Sequence, residues 1–128
     1  MAPERDLAKL ISGMRPELLT GRFVFVDLSV VPTDDVEVFA SVREDEGLSG
    51  VISQDDADRI CAEYEFVAAW ITLRVESALE AVGLTAAVSK RLTDEGISCN
   101  MIAGLRHDHI LVPVDDGDRA LKALLALK

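Results

Sequence analysis

Two short runs carry side chains and backbone suited to binding chemistry. The first is Ser77-Ala78-Leu79-Glu80-Ala81-Val82-Gly83-Leu84-Thr85. It joins a strand-forming stretch to a helical one, so it ends at a helix start. Helix starts present unpaired main-chain N–H groups at the positive end of the dipole, a match for a carboxylate. Gly83 lacks a Cβ, which lets a ligand approach the main chain. Ser77 and Thr85 add hydroxyls. Asn100 adds an amide if the strand beginning at Ile97 pairs beside Trp70–Val75. The same residues fit a plainer role, with Gly83 allowing close helix–sheet packing and Thr85 capping the helix.

The second run is His107-Asp108-His109. Alternate strand residues face one way, so both rings can reach one point. These are the chain's two histidines, and zinc takes three or four protein ligands, so Cys99 or Asp108 would have to complete a set. A turn and strand start explains the run better, and no metal or cofactor is expected. His107 retains the capacity to hydrogen-bond a ligand near neutral pH. Catalytic patterns are thin, with neither a phosphate-cradling glycine motif nor a nucleophile elbow. The acid pairs Asp55-Asp56 and Asp115-Asp116 fall at helix starts, where capping explains them. No enzyme is expected.

The elements that position these runs follow from periodicity. Leu7, Leu10, Ile11 and Met14 mark a short helix over Glu4–Met14. Phe23–Val30 is rich in strand formers. Val36–Val42 alternates as a half-buried strand, and Leu48–Ser53 is a third. Gln54–Glu63 is helical, with Ala57, Ile60 and Cys61 on one face. Phe66–Val75 is extended. Leu84, Ala87, Val88 and Leu92 line a helix that Gly96 ends as a left-handed C-cap. Ile97–Ala103 and His109–Val114 are strands, and the last helix, opened by Asp115 or Asp116, carries Ala120, Leu121, Leu124 and Leu125.

Asp55-Asp56-Ala57-Asp58-Arg59-Ile60 recurs sixty residues later as Asp115-Asp116-Gly117-Asp118-Arg119-Ala120. At the same offset Val38–Val42 falls on Ser98–Ile102, strand on strand. This is an internal strand–strand–helix repeat. The second half reads strand, helix, strand, strand, helix, the ferredoxin-like order without its last strand. The missing strand leaves an edge to be covered by the first half or by a second copy.

The chain has 128 residues, 49% of them hydrophobic, and a net charge of −10 from 23 acidic and 13 basic side chains. That charge repels nucleic acid and anionic membrane. Cys61 and Cys99 are expected as buried free thiols in a reducing compartment. The N-terminus lacks an apolar signal core and no run approaches a membrane span, so a cytoplasmic location is expected.

The run Trp70-Ile71-Thr72-Leu73, the Ser77–Ser89 loop and helix start, Gly96-Ile97-Ser98-Cys99-Asn100 and His107-Asp108-His109-Ile110-Leu111-Val112-Pro113 resemble small bacterial proteins built from two ACT-type domains. The resemblance is specific over Trp70–Leu127 and looser over Gly21–Ile60. It implies an α+β fold of two ferredoxin-like βαββαβ-related repeats, antiparallel sheets with helices packed on one face. The repeats are 1–65 and 66–128, either successive or intertwined into one compact unit. It further implies a non-catalytic sensor that binds a small molecule, an amino acid in most members, and pairs as a homodimer. Carried onto this chain, the ligand residues are Ser77, Leu79, Glu80, Val82, Gly83, Leu84 and Thr85, with Asn100, Met101 and Ile102 on a facing strand. The rival reading is an interaction or scaffold module that uses its open sheet edge without a small ligand.

Overall fold

The computed structural model describes residues 3–75 and 77–127. In chain order the elements are α1 (Leu7–Gly13), β1 (Arg15–Leu18), β2 (Phe23–Asp27), β3 (Ala40–Glu44), β4 (Gly47–Ser53), α2 (Gln54–Arg59), β5 (Val67–Arg74), α3 (Leu84–Asp94), β6 (Asn100–Ala103), β7 (Asp108–Pro113) and α4 (Gly117–Leu125), the last preceded by a 3-10 turn at Val114–Asp116. They form two compact units, one of residues 20–68 and one of residues 1–19 with 69–128.

In the larger unit, β5, β7 and β6 lie side by side. The hairpin of β6 and β7 pairs Asn100 with Leu111 through Ala103 with Asp108. The other edge of β5 takes β1, antiparallel, from Arg15 opposite Arg74 to Leu18 opposite Ile71. The strand missing from the second half is therefore supplied by the start of the chain. In the sequence Pro16 marks only a helix end. An edge strand tolerates proline, because its missing N–H faces away from the ladder.

Ala69, Ile71 and Leu73 of β5 and Ile110 and Val112 of β7 turn one face to the helices. There they meet Leu10, Met14, Leu84, Val88, Leu92, Ala120 and Leu124. Truncating a fully buried leucine here, such as Leu92 or Leu124, costs about 2–5 kcal/mol for the lost transfer energy and the cavity. Ala68, Trp70 and Thr72 are buried as well, so β5 is covered on both faces and its alternation is masked. At the end of α3, the Ile97 N–H reaches the Leu92 carbonyl and the Gly96 N–H the Thr93 carbonyl, each at 2.9 Å. Gly96 takes φ 72°. This is the left-handed C-cap expected from the sequence, with Ile97 folded back beside Leu92.

In the smaller unit, β4 lies between β3 and β2. β2 also pairs with the first two residues of β5, Phe23 with Ala68 and Val24 with Val67. Residues 28–39 occupy the place of the helix between the first two strands; they turn at Asp34-Asp35, and Val31 and Val36 pack on Val24, Val26 and Ile52 instead.

Several boundaries differ from the expectation. The strand expected over Val36–Val42 begins only at Ala40, and four of its five residues are exposed. A turn closed by the Val36 N–H on the Thr33 carbonyl takes up Val36. The helix expected over Gln54–Glu63 stops at Arg59, and Cys61 lies beyond it, exposed, at φ 58°. Its apolar phase suggests burial, but the chain leaves the helix first. The strand expected from Ile97 starts at Asn100, because the C-cap uses Ile97. Asp116 is the N-cap of α4 but makes no side-chain cap bond.

Candidate functional site

The loop from β5 to α3 begins where Ser77 pairs with Glu4 in a parallel bridge. The Ala78 N–H donates to the Glu4 carbonyl at 3.0 Å, and the Ala81 N–H to the Ala78 carbonyl at 2.9 Å. The Ser77 hydroxyl donates to the Ala78 carbonyl at 3.3 Å. Glu80 is ion-paired with Arg5 at 3.1 Å, both side chains largely in solvent. Leu79 and Val82 are 68% and 83% exposed.

Gly83 is the N-cap of α3, at φ 107°, and no side chain caps the helix. No acid lies in the first turn. The amides of Leu84, Thr85 and Ala86 therefore start the helix without a side-chain acceptor, which is the anion-favouring end of the dipole. Leu84 turns its side chain into the core, leaving only its main chain for a ligand, whereas Thr85 is exposed. A Cβ on Gly83 would lie 2.9 Å from Leu7 Cδ2. The bare Cα is thus used by α1 packing over it.

The structure places Ser77 to Gly83 in the loop and Leu84 and Thr85 in the first turn of α3, and sets Asn100, Met101 and Ile102 apart from β5. β6 pairs with β7, and β7 lies between β6 and β5, so the strand beginning near Ile97 does not pair beside Trp70–Val75. The Asn100 amide donates within its own hairpin, to the Leu111 carbonyl at 3.4 Å. Met101 packs on the helix-side core, and Ile102 stands opposite His109. His107 Nδ1 lies 3.3 Å from the Val75 carbonyl. A carbonyl only accepts, so Nδ1 carries the proton and donates.

The two histidines divide their work. His109 Nδ1 lies 3.0 Å from Thr72 Oγ1, which accepts from Trp70 Nε1 at 3.1 Å. The Trp70 and His109 rings are 5.3 Å apart. With His109 neutral and its proton on Nε2, the Thr72 hydroxyl donates to Nδ1 and every polar atom of this chain of bonds is satisfied. Burial holds His109 below its ordinary pKa, reinforced by His107 and Arg74 and opposed by Asp108. Burial likewise pushes the Asp108 carboxyl up. The Trp70–Thr72–His109 array is not visible as a motif. Its only trace is that positions 70 and 72 share a strand face. Among the described residues no group of three His, Cys, Asp or Glu side chains is placed to hold a metal ion.

The smaller unit holds a cleft of about 270 Å³ beside β2 and the β3–β4 hairpin, walled by Phe25 and Leu48 and by the carboxylates of Asp27, Glu44, Glu46 and Glu63. Its charge disfavours the anion that the start of α3 favours. The sequence does not announce it, because its walls come from three separate segments.

The order β5–α3–β6–β7–α4, closed by β1, defines the larger unit as a ferredoxin-like module, and the smaller unit repeats the strand–strand–helix part of it. Fold and repeat together are those of two related ferredoxin-like modules. Two ACT-domain family models match in tandem, at residues 2–69 and 65–126, and the chain belongs to the ACT-domain family. It is similar to a Vibrio cholerae protein of unknown function with a suggested transport role, at 41% identity over 94% of both chains and a TM-score of 0.83. An Agrobacterium tumefaciens protein shares the fold at 22% identity, over 89% of this chain and 88% of that one, with a TM-score of 0.67. So does the ligand-free regulatory subunit of aspartate kinase from Thermus thermophilus, at 10% identity, over 88% and 95%, with a TM-score of 0.68. No curated protein matches the chain. Among the described residues no helix is long and apolar enough to cross a membrane.

Proposed function

We propose that this protein is a stand-alone, non-catalytic sensor that binds a free amino acid and regulates a partner protein. The observation that carries the reading is the start of α3, where a left-handed glycine, no side-chain cap and no acid leave main-chain amides for a carboxylate. The ligand residues on this reading are Ser77, Leu79, Glu80, Val82, Gly83, Leu84 and Thr85 on the loop, with His107 beside it. Asn100, Met101 and Ile102 belong to the same proposal through a second copy of the chain, since β7 separates them from β5 within one copy. The working form is a cytoplasmic homodimer, and each repeat, 1–65 and 66–128 along the chain, is one ACT-type module. The regulatory subunit of aspartate kinase with the same fold supports a regulatory role.

The scaffold alternative rests on an open edge beside β5. That edge is filled by β1, which leaves β6, at the end of the strand order, as the edge such a partner would use. The direct test is a thermal-shift screen of the common L-amino acids at millimolar concentration, because a ligand that binds only the native state raises Tm. At least one is expected to do so. A flat response to all of them removes the sensor reading.

A further inference from the structure

The loop leading into α3 is partly covered in this conformation. The Ala78 N–H is held by the Glu4 carbonyl at 3.0 Å, Glu4 bridges Ser77, Arg5 pairs with Glu80 at 3.1 Å, and Leu7 lies against the Cα of Gly83, within 2.9 Å of where a Cβ would be. Four consecutive residues of the N-terminal segment thus run along the loop, three of them touching it. We propose that Glu4–Leu7 is a detachable strap, which shields the loop and the Cα of Gly83 ahead of α3 in the free protein and lifts to expose them.

The strap lacks what would make it permanent. Pro3 to Lys9 contribute no buried side chain, and Leu10 is the first buried among the described residues. The Arg5–Glu80 pair lies in solvent, where ion pairs are weak and screened by salt. Among the described residues the strap is otherwise held by the Ala78–Glu4 main-chain bond, the contact of Leu7 with Gly83, the Asp6 cap on the Lys9 N–H at 3.0 Å, the Leu10 N–H on the Asp6 carbonyl at 2.9 Å and a solvent-facing Lys9–Glu4 pair at 3.9 Å. Segments with few buried contacts open at low free energy while the core stays folded. A hinge at Ala8 frays one helical residue and leaves Leu10 and Met14 anchored in the core. If the sensor reading above holds, the ligand competes with the strap, and its apparent affinity falls by the fraction of molecules with the strap lifted.

Hydrogen–deuterium exchange of the intact protein, of a variant lacking residues 2–5 and of full-length Leu7→Ala tests this. Peptides covering Ala78–Ala86 are expected to exchange about tenfold faster in both variants. Peptides covering β5, and those covering the core of α3 around the fully buried Val88 and Leu92, are expected to keep their protection. Unchanged exchange across Ala78–Ala86 in both variants overturns the strap. If the truncated chain loses protection everywhere, Leu7→Ala decides the question alone. The second arm repeats the thermal-shift screen with each L-amino acid on the intact protein and on Leu7→Ala. An amino acid that stabilises the intact protein is expected to act at about tenfold lower concentration on the variant. Equal concentrations overturn the gating. If no amino acid stabilises either protein, the sensor reading falls, while the exchange result still decides whether the strap covers the loop.

Discussion

Arg59 and Arg119, sixty residues apart in the chain, make the same pair of contacts. Each guanidinium binds the carboxylate three residues back, Asp56 at 3.2 Å and Asp116 at 3.1 Å. Each also donates to a main-chain carbonyl twenty-four residues back, that of Asp35 and that of Glu95. The helix after each hairpin is thereby tied to the segment leading into that hairpin. The repeat seen as six residues of sequence is therefore a repeat of bonding, and it extends to carbonyls that no side-chain pattern records.

Replacing either arginine with alanine removes a charge-assisted hydrogen bond and a half-exposed ion pair. The expected loss is about 1 kcal/mol for each, since such bonds are worth somewhat more than neutral ones and exposed pairs little. Lysine recovers only part of it, because a single ammonium lacks the fork that spans carboxylate and carbonyl together. The double variant is expected to show the sum, as the two sites share no partner. Urea midpoints at constant slope measure this. A midpoint that moves for one arginine and not for the other means the two copies are not equivalent.

The Trp70–Thr72–His109 array makes stability depend on pH. Burial holds His109 below its ordinary value of 6.5, so the unfolded chain takes up a proton there before the folded one does. The sign follows: stability is highest above about pH 6.5 and falls as the pH drops from there to the folded-state pKa, below which this contribution is constant. A protonated ring must donate from Nδ1 to Thr72 Oγ1, which leaves the buried hydroxyl proton without its acceptor. His109→Gln is expected to flatten the profile between about pH 7 and pH 5. Trp70 is the single tryptophan of the chain, and a protonated imidazole quenches a neighbouring indole, so its fluorescence reports the same titration. A fluorescence titration identical in the wild type and His109→Gln would rule out His109 as its source.

Local signals in the sequence are legible where one segment decides its own structure. Gly96 ends α3 as a left-handed cap because the cap needs only the residues around it. The loop from Ser77 to Thr85 falls between a strand and a helix for the same reason. What the sequence hides depends on partners far along the chain. β1 is four residues with a proline, too short and too exposed to announce itself, and exists because β5 offers it an edge. The sequence leaves Asn100 free to stand beside β5 because nothing local says that β7 intervenes. Periodicity assigns Leu7 to a helix face, and only the fold brings it over Gly83.

The two cysteines should differ sharply in reactivity. Cys61 is exposed, whereas Cys99 is half-buried, and burial pushes its thiol pKa up. The thiolate is the reactive form, so both access and ionisation slow Cys99. A disulfide reagent at neutral pH is expected to modify Cys61 at least about tenfold faster, with Cys61→Ser losing the fast phase and Cys99→Ser the slow one. One phase of two equal thiols would contradict the burial of Cys99.

Gly83→Ala separates backbone strain from packing at the candidate ligand loop. Its φ of 107° is one that side-chain-bearing residues rarely adopt, and the new methyl would meet Leu7 Cδ2 at 2.9 Å. The strain is worth about 1–3 kcal/mol. The contact costs less, because the end of a flexible leucine can turn aside. Most of the loss is therefore expected to persist when Gly83→Ala is made in the Leu7→Ala background, with a coupling of no more than about 0.5–1 kcal/mol between the two sites. Chemical denaturation of the four proteins of this cycle measures both quantities. A coupling as large as the whole Gly83→Ala effect would mean that Leu7, rather than the backbone, demands glycine at this position, and the left-handed start of α3 would then be a consequence of the packing of α1.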